Sequence, residues 1–320
     1  MTNQLAFGVD LGGTKVEVAI VDEKGVIRHR ILSPTQAEVG PESIVESISQ
    51  TAKKIAVELN CHPDALGIGI AGQIDRHSQS VIFAPNLRWS NFPLKQALEN
   101  KLQIPVEVVN DVRAAAWGEW KFGAGRGFND LICVFVGTGI GGGIVSNGHM
   151  LVGANNSAGE IGHMVIDWQG PDCTCGSFGC LEAFAGGWAI GRRAREAVGA
   201  DLDEGKHILD LAGGSIENIT AKTVIEASHA GDPFANLIIS EVLQALIAGT
   251  TSLANAFNPD LIVFGGGIIN GMPSLIAKIE EGVKKRALHS ATARLKHVQA
   301  QLVADAGVIG AAAYARSRLK

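Results

Sequence analysis

The pattern of apolar runs predicts an α/β protein built in two halves. Strand-like and helix-like stretches alternate along the chain. A strand, a glycine turn and a second strand occur twice: LAFGVD, LGGT and KVEVAIVD from Leu5, then LICVFV and GTGIGGG leading into GIVSNGHMLV from Leu131. A third strand, LIVFGGGI from Leu261, also runs into glycines. The 40 glycines of the 320-residue chain collect in such runs, so they look positional. The repeated opening suggests an internal duplication too diverged to survive as sequence identity. A boundary near Trp117 divides the chain into a small α/β domain, residues 1–116, and a larger one, residues 117–306. A closing helix, 307–320, is expected to pack back on the first domain.

Each element has its own signal. After the first hairpin, Glu23-Lys24-Gly25 makes a turn and VIRHRIL a third strand. Residues 41–59 place Ile44, Val45, Ile48, Ala52, Ile55 and Leu59 at helical spacing behind Pro41, a favoured first helical residue. LGIGIAG is a strand, followed by a short hairpin at 76–80. The loop APNLRWSNFP at 84–93 carries Trp89 and Phe92, aromatics of the kind that stack on sugars or fill cores. A helix is expected at 94–102, a strand at 106–109 and a helix at 112–120. After the second hairpin the chain turns mostly helical, at 188–198, 221–230, 235–257 and 274–287. VQAQLV at 298–303 reads as the last strand, before the helix at 307–318.

Composition narrows the function classes. Hydrophobic residues make up 46% and charged residues 18%, an ordinary globular balance. A net charge of −5 gives no electrostatic case for nucleic acid or an anionic membrane. The N-terminus lacks the basic and small-residue pattern of a signal peptide. Residues 131–159 contain no Asp, Glu, Lys or Arg, but glycines, asparagines and Thr138 interrupt the apolar run that a spanning helix of about 20 residues needs. A cytoplasmic location is expected.

Three of the five cysteines crowd into residues 159–182, GEIGHMVIDWQGPDCTCGSFGCLE. Cys173, Cys175 and Cys180, with His163, ask for a metal or a disulfide, and a reducing compartment favours the metal. Three thiolates and an imidazole suit tetrahedral zinc, although Cys173-x-Cys175 is tighter than zinc-finger spacing. Cys133, inside LICVFV, reads as core.

The glycine turns nearly match two phosphate motifs. Gly8-x-x-x-x-Gly13 is followed by Thr14-Lys15, the reverse of a Walker loop's order. Gly137-x-Gly139-x-x-Gly142 fits a dinucleotide fingerprint, but strand residues follow where a helix must open. That mismatch argues against a hydride-transferring dehydrogenase. Both loops read as hairpins, and a glycine hairpin can still bind phosphate through successive N–H groups. Two such turns and the run at Gly265, Gly266 and Gly267 favour a nucleotide; either turn alone would be ordinary turn chemistry. Asn110-Asp111, between a strand and a helix, reads first as an N-cap.

Taken together, these pieces resemble a known family. Asp10-Leu11-Gly12-Gly13-Thr14-Lys15, Asn110-Asp111, Gly137-Thr138-Gly139-x-Gly141-Gly142-Gly143, Glu160-x-Gly162-His163 and Cys173-x-Cys175-Gly176-x-x-Gly179-Cys180-x-Glu182 occur in the order found in ROK sugar kinases. The resemblance runs from Phe7 to Ala313. It implies the actin-like, hexokinase-like ATPase fold, with duplicated RNase H-like domains. It implies an ATP-dependent hexose kinase acting on the 6-hydroxyl of glucose or a close relative, and commonly a homodimer. Asp111 would be the general base and Asn110 its sugar-binding neighbour. Glu160, His163 and Glu182 would bind sugar hydroxyls. Asp10 would hold Mg²⁺ through water, with Gly12, Gly13, Thr14 and Lys15, Gly137, Thr138 and Gly139, and Gly265 to Gly267 around the phosphates. His163, Cys173, Cys175 and Cys180 would hold a structural zinc.

Two other readings within the family stay open. An N-acetylmannosamine or N-acetylglucosamine kinase would differ at the sugar's 2-position. A sugar-responsive repressor needs a DNA-binding module ahead of the first hairpin, where this sequence has only Met1–Gln4.

Overall fold

The computed structural model describes residues 5–319. Met1–Gln4, the lead-in weighed above against a DNA-binding module, and Lys320 lie outside the described residues.

The strands run β1 Ala6–Leu11, β2 Lys15–Val21, β3 Ile27–Pro34, β4 Ala65–Ile70, β5 Gln73–Ile74, β6 Val81–Ala84, β7 Trp89–Phe92 and β8 Val106–Asn110 in the first half. The second half holds β9 Leu131–Val136, β10 Ile140–Ser146, β11 His149–Met150, β12 Leu261–Gly265 and β13 Lys296–Gln299. The helices are α1 Pro41–Glu58, α2 Leu94–Leu102, α3 Asp111–Phe122, α4 Leu181–Ala185, α5 Gly187–Ala200 and α6 Lys206–Leu211. They continue as α7 Ala221–His229, α8 Pro233–Phe257, α9 Gly267–Gly271, α10 Leu275–Arg286, α11 His289–Thr292 and α12 Ala306–Ser317.

Two five-stranded sheets repeat one plan. The first has the order β3-β2-β1-β4-β8 and the second β11-β10-β9-β12-β13. In each, two antiparallel pairs give way to two parallel pairs, so β1 and β9 occupy equivalent places. The duplication that the sequence only hints at is explicit in strand order. Both glycine turns join antiparallel neighbours and are hairpins, as their turn chemistry predicts. β5, β6 and β7 form a small separate sheet.

Burial explains the sequence of each strand. Every residue of β4, ALGIGI, is buried, which is why it reads as a continuous apolar run. β3 lies at a sheet edge and exposes alternate residues, hence its arginines and histidine. α12 lies directly on the first sheet: a Cβ at Gly67 would stand 1.8 Å from the Ala311 carbonyl oxygen, a distance only glycine permits. α3 packs against both α12 and β10, so it touches elements of both halves. Trp117, where the sequence places the boundary, lies inside that helix, edge-on to Tyr314 at 5.2 Å. Near its end, the fully buried Glu119 accepts backbone N–H groups from Ala124, Gln301 and Leu302, fixing the segment that leads into α12.

Only the first two residues of VQAQLV, Val298 and Gln299, lie in the strand expected of it. β13 is Lys296–Gln299, and its last residue pairs with Phe264, one position before β12 ends at Gly265. Past Gln299 the Ala300 N–H still reaches the Phe264 carbonyl at 2.7 Å, and the chain then turns at Val303, whose φ is 49°. α8 is long and apolar enough, by length and composition, to cross a membrane. It lies instead in the second core, against α4, α7 and α10.

Candidate active site

The parallel strands β1, β4 and β8 end at one edge of the first sheet, where ligands sit in open α/β sheets. Asp10 lies near the end of β1, and Asn110 and Asp111 at the junction of β8 and α3. Asn110 is the N-cap: its Oδ1 accepts the Arg113 N–H at 3.1 Å, satisfying an otherwise orphaned donor. The cap places Asp111 as the first residue of the helix, so the structural and functional readings of this pair hold together. Burial raises the pKa of Asp111 above the ordinary carboxylate value, and the charge of Glu160 adds to this. Burial also raises Asp10, to about 6, followed by the charges of Asp111 and Glu17, while Lys15 acts in the opposite sense. Two neighbouring carboxylates held above their ordinary range make this a candidate functional site.

Facing them is the hairpin of β9 and β10. Glu182, in the first turn of α4, is buried and engaged on both oxygens: Oε2 accepts the Ile140 N–H at 2.6 Å and Oε1 accepts Trp188 Nε1–H at 3.1 Å. A Cβ at Gly139 would stand 2.4 Å from Oε2, so the glycine there admits the carboxylate. Glu182 is therefore first a brace for the hairpin. Its oxygens keep lone pairs for a further donor, since each accepts more than one hydrogen bond. Glu160, by contrast, is exposed at the mouth of the cavity.

Behind Glu160 the cysteine loop closes on itself. His163 Nδ1 lies 3.8 Å from Cys173 Sγ, Cys175 Sγ lies 3.8 Å from Cys180 Sγ, and the four ligand atoms lie within 4.8 Å of one another. Thiolates about 2.3 Å from a tetrahedral zinc stand roughly 3.8 Å apart, so the cluster fits that ion. All five cysteines are unpaired. The backbone of the loop also pairs with itself: Val165 pairs with Cys180, Asp172 with Phe178, and the Gly179 N–H reaches the Pro171 carbonyl. With Nδ1 toward the cysteines, His163 also lines the cavity beside Asp111.

Two cavities meet at this point. The smaller, about 430 Å³, is lined by Asn110, Asp111, Glu160, His163 and Glu182 together with the hairpin residues Gly137 to Gly142 and Gly266. The larger, about 1300 Å³, is lined by Lys15, Gly137, Thr138 and Gly267 and by residues of α5, α7 and α9. Gly137 and Thr138 border both. Asp10, Gly12, Gly13, Thr14 and Gly265 line neither. Gly13 packs on Asn86, and Gly265 on Phe135, both of which line the smaller cavity.

Sequence reasoning missed most of the larger cavity. Trp188, Arg195, Thr220, Ile225, His229 and Ile268 sit on its wall. Nothing in their spacing separates them from core and surface positions of ordinary helices. In the loop at 84–93 the core-filling reading holds for Trp89. Trp89 is only 2% exposed and belongs to the first core, so it offers no face to a sugar. Asn86 of the same loop lines the smaller cavity instead.

Comparison with known proteins agrees with this geometry. The fold matches a ROK glucokinase from Streptomyces griseus solved with glucose and AMPPNP, at a TM-score of 0.82 and 36% identity over 98% of this chain and 99% of that one. It matches a ROK hexokinase from Thermus thermophilus at a TM-score of 0.84 and 30% identity, over 98% and 99% of the two chains. A glucokinase of Thermotoga maritima is 37% identical over 315 residues, spanning 98% of this chain and 97% of that protein. These structures share the two-sheet, actin-like ATPase architecture described above. The ROK family model matches residues 6–318, and the chain belongs to the ROK family.

Proposed function

We propose that this protein is an ATP-dependent hexose kinase that phosphorylates the 6-hydroxyl of glucose or a close relative. The observation that carries the reading is the meeting of the two cavities at Gly137 and Thr138. A hexose held by Asn110, Glu160, His163 and Glu182 lies beside Asp111, and a nucleotide in the larger cavity brings its phosphates to the same hairpin. A cavity of about 1300 Å³ lined by Trp188, Ile225 and Ile268 offers apolar surface for a base, which polyphosphate as donor would not use. The relatives' glucose and AMPPNP point the same way.

In the reaction, Asp111 accepts the proton of the sugar hydroxyl as its oxygen attacks the γ-phosphorus. The new P–O bond forms as the bond to the β-phosphate oxygen breaks, and ADP leaves with that electron pair. The raised pKa of Asp111 brings this base nearer to working pH. Asp10 would hold Mg²⁺ through water; the ion, when bound, would neutralise phosphate charge. Lys15 and the hairpin N–H groups would receive the phosphates. Zinc on His163, Cys173, Cys175 and Cys180 would be structural, because all four positions are protein ligands. A cytoplasmic homodimer, binding neither nucleic acid nor membrane, completes the proposal. N-acetylmannosamine or N-acetylglucosamine is the alternative acceptor.

The test is ADP release in a coupled assay across glucose, mannose, fructose, allose and the two N-acetylhexosamines. We expect glucose to give the highest kcat/KM. Turnover above background with none of these sugars would refute the kinase reading.

A further inference from the structure

A third cavity, of about 370 Å³, shares no wall residue with the other two. Its size lies at the lower end of the range for small-molecule sites. Arg76, Gln79, Glu107, Tyr314 and Arg318 of the first sheet and its flanking elements form one wall, and Asn156, in the segment after β11, faces them.

Each side-chain acceptor of this cavity already has a donor, while its arginines keep donors to spare. Glu107 accepts from Lys95 Nζ at 3.1 Å on one oxygen and from Gln79 Nε2 at 2.8 Å on the other. Gln79 Oε1 accepts the Val108 N–H at 2.7 Å, and Asn156 Oδ1 accepts from Arg113. The acceptors of the wall are thus engaged. The donors are not exhausted. Arg76 uses Nη1 for the Gly153 and Ala154 carbonyls, which leaves the rest of its fork. Arg318 gives Nη2 to the Tyr314 hydroxyl oxygen at 3.1 Å, which leaves that phenol's own proton to donate. Among the described residues that line the cavity, Glu107 is the one carboxylate, and with it balanced by Lys95 two guanidinium groups remain in excess. Planar guanidinium forks fit phosphate oxygens in charge and shape.

The cavity also touches the machinery of the active site through one side chain. Arg113, two residues after Asp111, donates to Asn156 Oδ1, to the Asn156 carbonyl at 3.0 Å and to the Ala158 carbonyl at 3.2 Å. Ala158 lies two residues before Glu160. Asn156 in turn donates Nδ2–H to the Ile74 carbonyl at 3.1 Å. An occupant held by the arginines of the first wall and seated against Asn156 would add to the ties that Arg76, Arg113 and Asn156 already make between the 152–158 segment and the first half. That would fix where Glu160 is presented.

We propose that this cavity is a second site for a small phosphate-bearing anion, either inorganic phosphate or a sugar phosphate monoester, and that filling it tightens sugar binding. The binding claim stands apart from the proposed activity. The claim about sugar rests on it.

Calorimetry on the full chain, with glucose and AMPPNP saturating the main cleft, tests the site with two probes in separate titrations: inorganic phosphate and glucose 6-phosphate. One binding event per chain is expected. Arg76→Gln and Arg318→Gln are each expected to weaken it roughly tenfold, as loss of a charge-assisted hydrogen bond implies. Arg318→Lys should restore part of the loss. Binding of both probes assigns the site to phosphate itself, and binding of glucose 6-phosphate alone assigns it to the ester. With the site filled, the KM for glucose should fall about fivefold, a typical coupling between sites, while kcat moves less. Failure of both probes to bind, binding indifferent to both arginine variants, or an unchanged KM with the site filled would each overturn the proposal. Should the chain phosphorylate no sugar, the inorganic phosphate titration on the arginine variants still decides the binding claim.

Discussion

The two five-stranded sheets share an order and a set of strand directions, yet they present different chemistry at their strand ends. The first ends in side chains: Asp10 near the end of β1, and Asn110 with Asp111 after β8. The second ends in backbone: Gly137, Thr138 and Gly139 after β9, and Gly265, the last residue of β12, with Gly266 and Gly267 after it. At the strand ends, one sheet supplies charge and the other supplies N–H groups and room. The insertions diverge as well. The first half adds the small sheet of β5 to β7, while the second adds the cysteine loop and α4 to α8 between β11 and β12. A duplicated scaffold has been specialised through its turns, and the strands hardly differ in kind.

The cysteine loop is the largest asymmetry, and breaking it should have the largest effect. Cys175→Ser alters an exposed side chain and so should spare the core. Metal content is expected to fall from about one zinc per chain to well below that, as loss of one ligand in a closed four-ligand site implies. The KM for sugar should rise on the order of a hundredfold, because Glu160 and His163 would no longer be held to within about 1 Å. Elemental analysis and steady-state kinetics check both outcomes. Undamaged wild-type protein without zinc would contradict the metal assignment.

Gly139→Ala attacks the backbone half directly. Its Cβ would meet Glu182 Oε2 at 2.4 Å, forcing the carboxylate off the Ile140 N–H. A rise of about tenfold in sugar KM is expected, the scale of one lost hydrogen bond to a charged group. Kinetics indistinguishable from wild type would mean that Glu182 braces nothing that matters to the sugar.

The carboxylate half should show itself in pH dependence. Asp111 must be ionised to accept a proton, and burial, with the charge of Glu160, raises its pKa. Activity should therefore fall as pH drops through a value above the ordinary carboxylate range, and recover as pH rises above it. Glu160→Gln removes the like charge and should move that midpoint of kcat/KM to lower pH. A midpoint that stays put or moves upward would contradict the electrostatic account.

The smallest effect is expected away from both halves' chemistry. Gly199, in the last turn of α5, has no neighbouring atom within 4 Å of the place a Cβ would take, and its φ is not positive. Gly199→Ala should stabilise the protein by about 0.5–1 kcal/mol, through helix propensity, with kinetics unchanged. Thermal unfolding measures it.

Much of this comparison was legible in the sequence, for physical reasons that differ by region. The hairpins were readable because glycine runs between period-two strands have few other uses, and because a helix was missing after Gly142. The metal cluster was readable because cysteine and histidine are scarce and were crowded into one segment. The duplication stayed faint because strand order depends on non-local pairing, which residue patterns do not record. The wall of the larger cavity was not legible at all. Ile225 and His229 come from one helix, Thr220 from its cap and Ile268 from another helix, and only their packing brings them to one surface. Trp89 allowed two readings because an aromatic in a loop can face a sugar or fill a core, and only packing decides: it is 2% exposed in the first core.

The central claim is a division of labour between the halves, with Asp111 moving the proton and Glu160 holding the sugar. Measuring glucose affinity by calorimetry and turnover at saturating glucose, for Asp111→Asn and Glu160→Gln side by side, tests it most directly. Asp111→Asn should bind glucose within about twofold of wild type and lose turnover by roughly a hundredfold or more, as removal of a general base does. Glu160→Gln should weaken glucose about tenfold and keep most of its turnover at saturation. An Asp111→Asn enzyme retaining more than about a tenth of wild-type turnover would contradict the account, since general-base loss costs far more than that. So would the reverse partition, with affinity lost at Asp111 and turnover lost at Glu160.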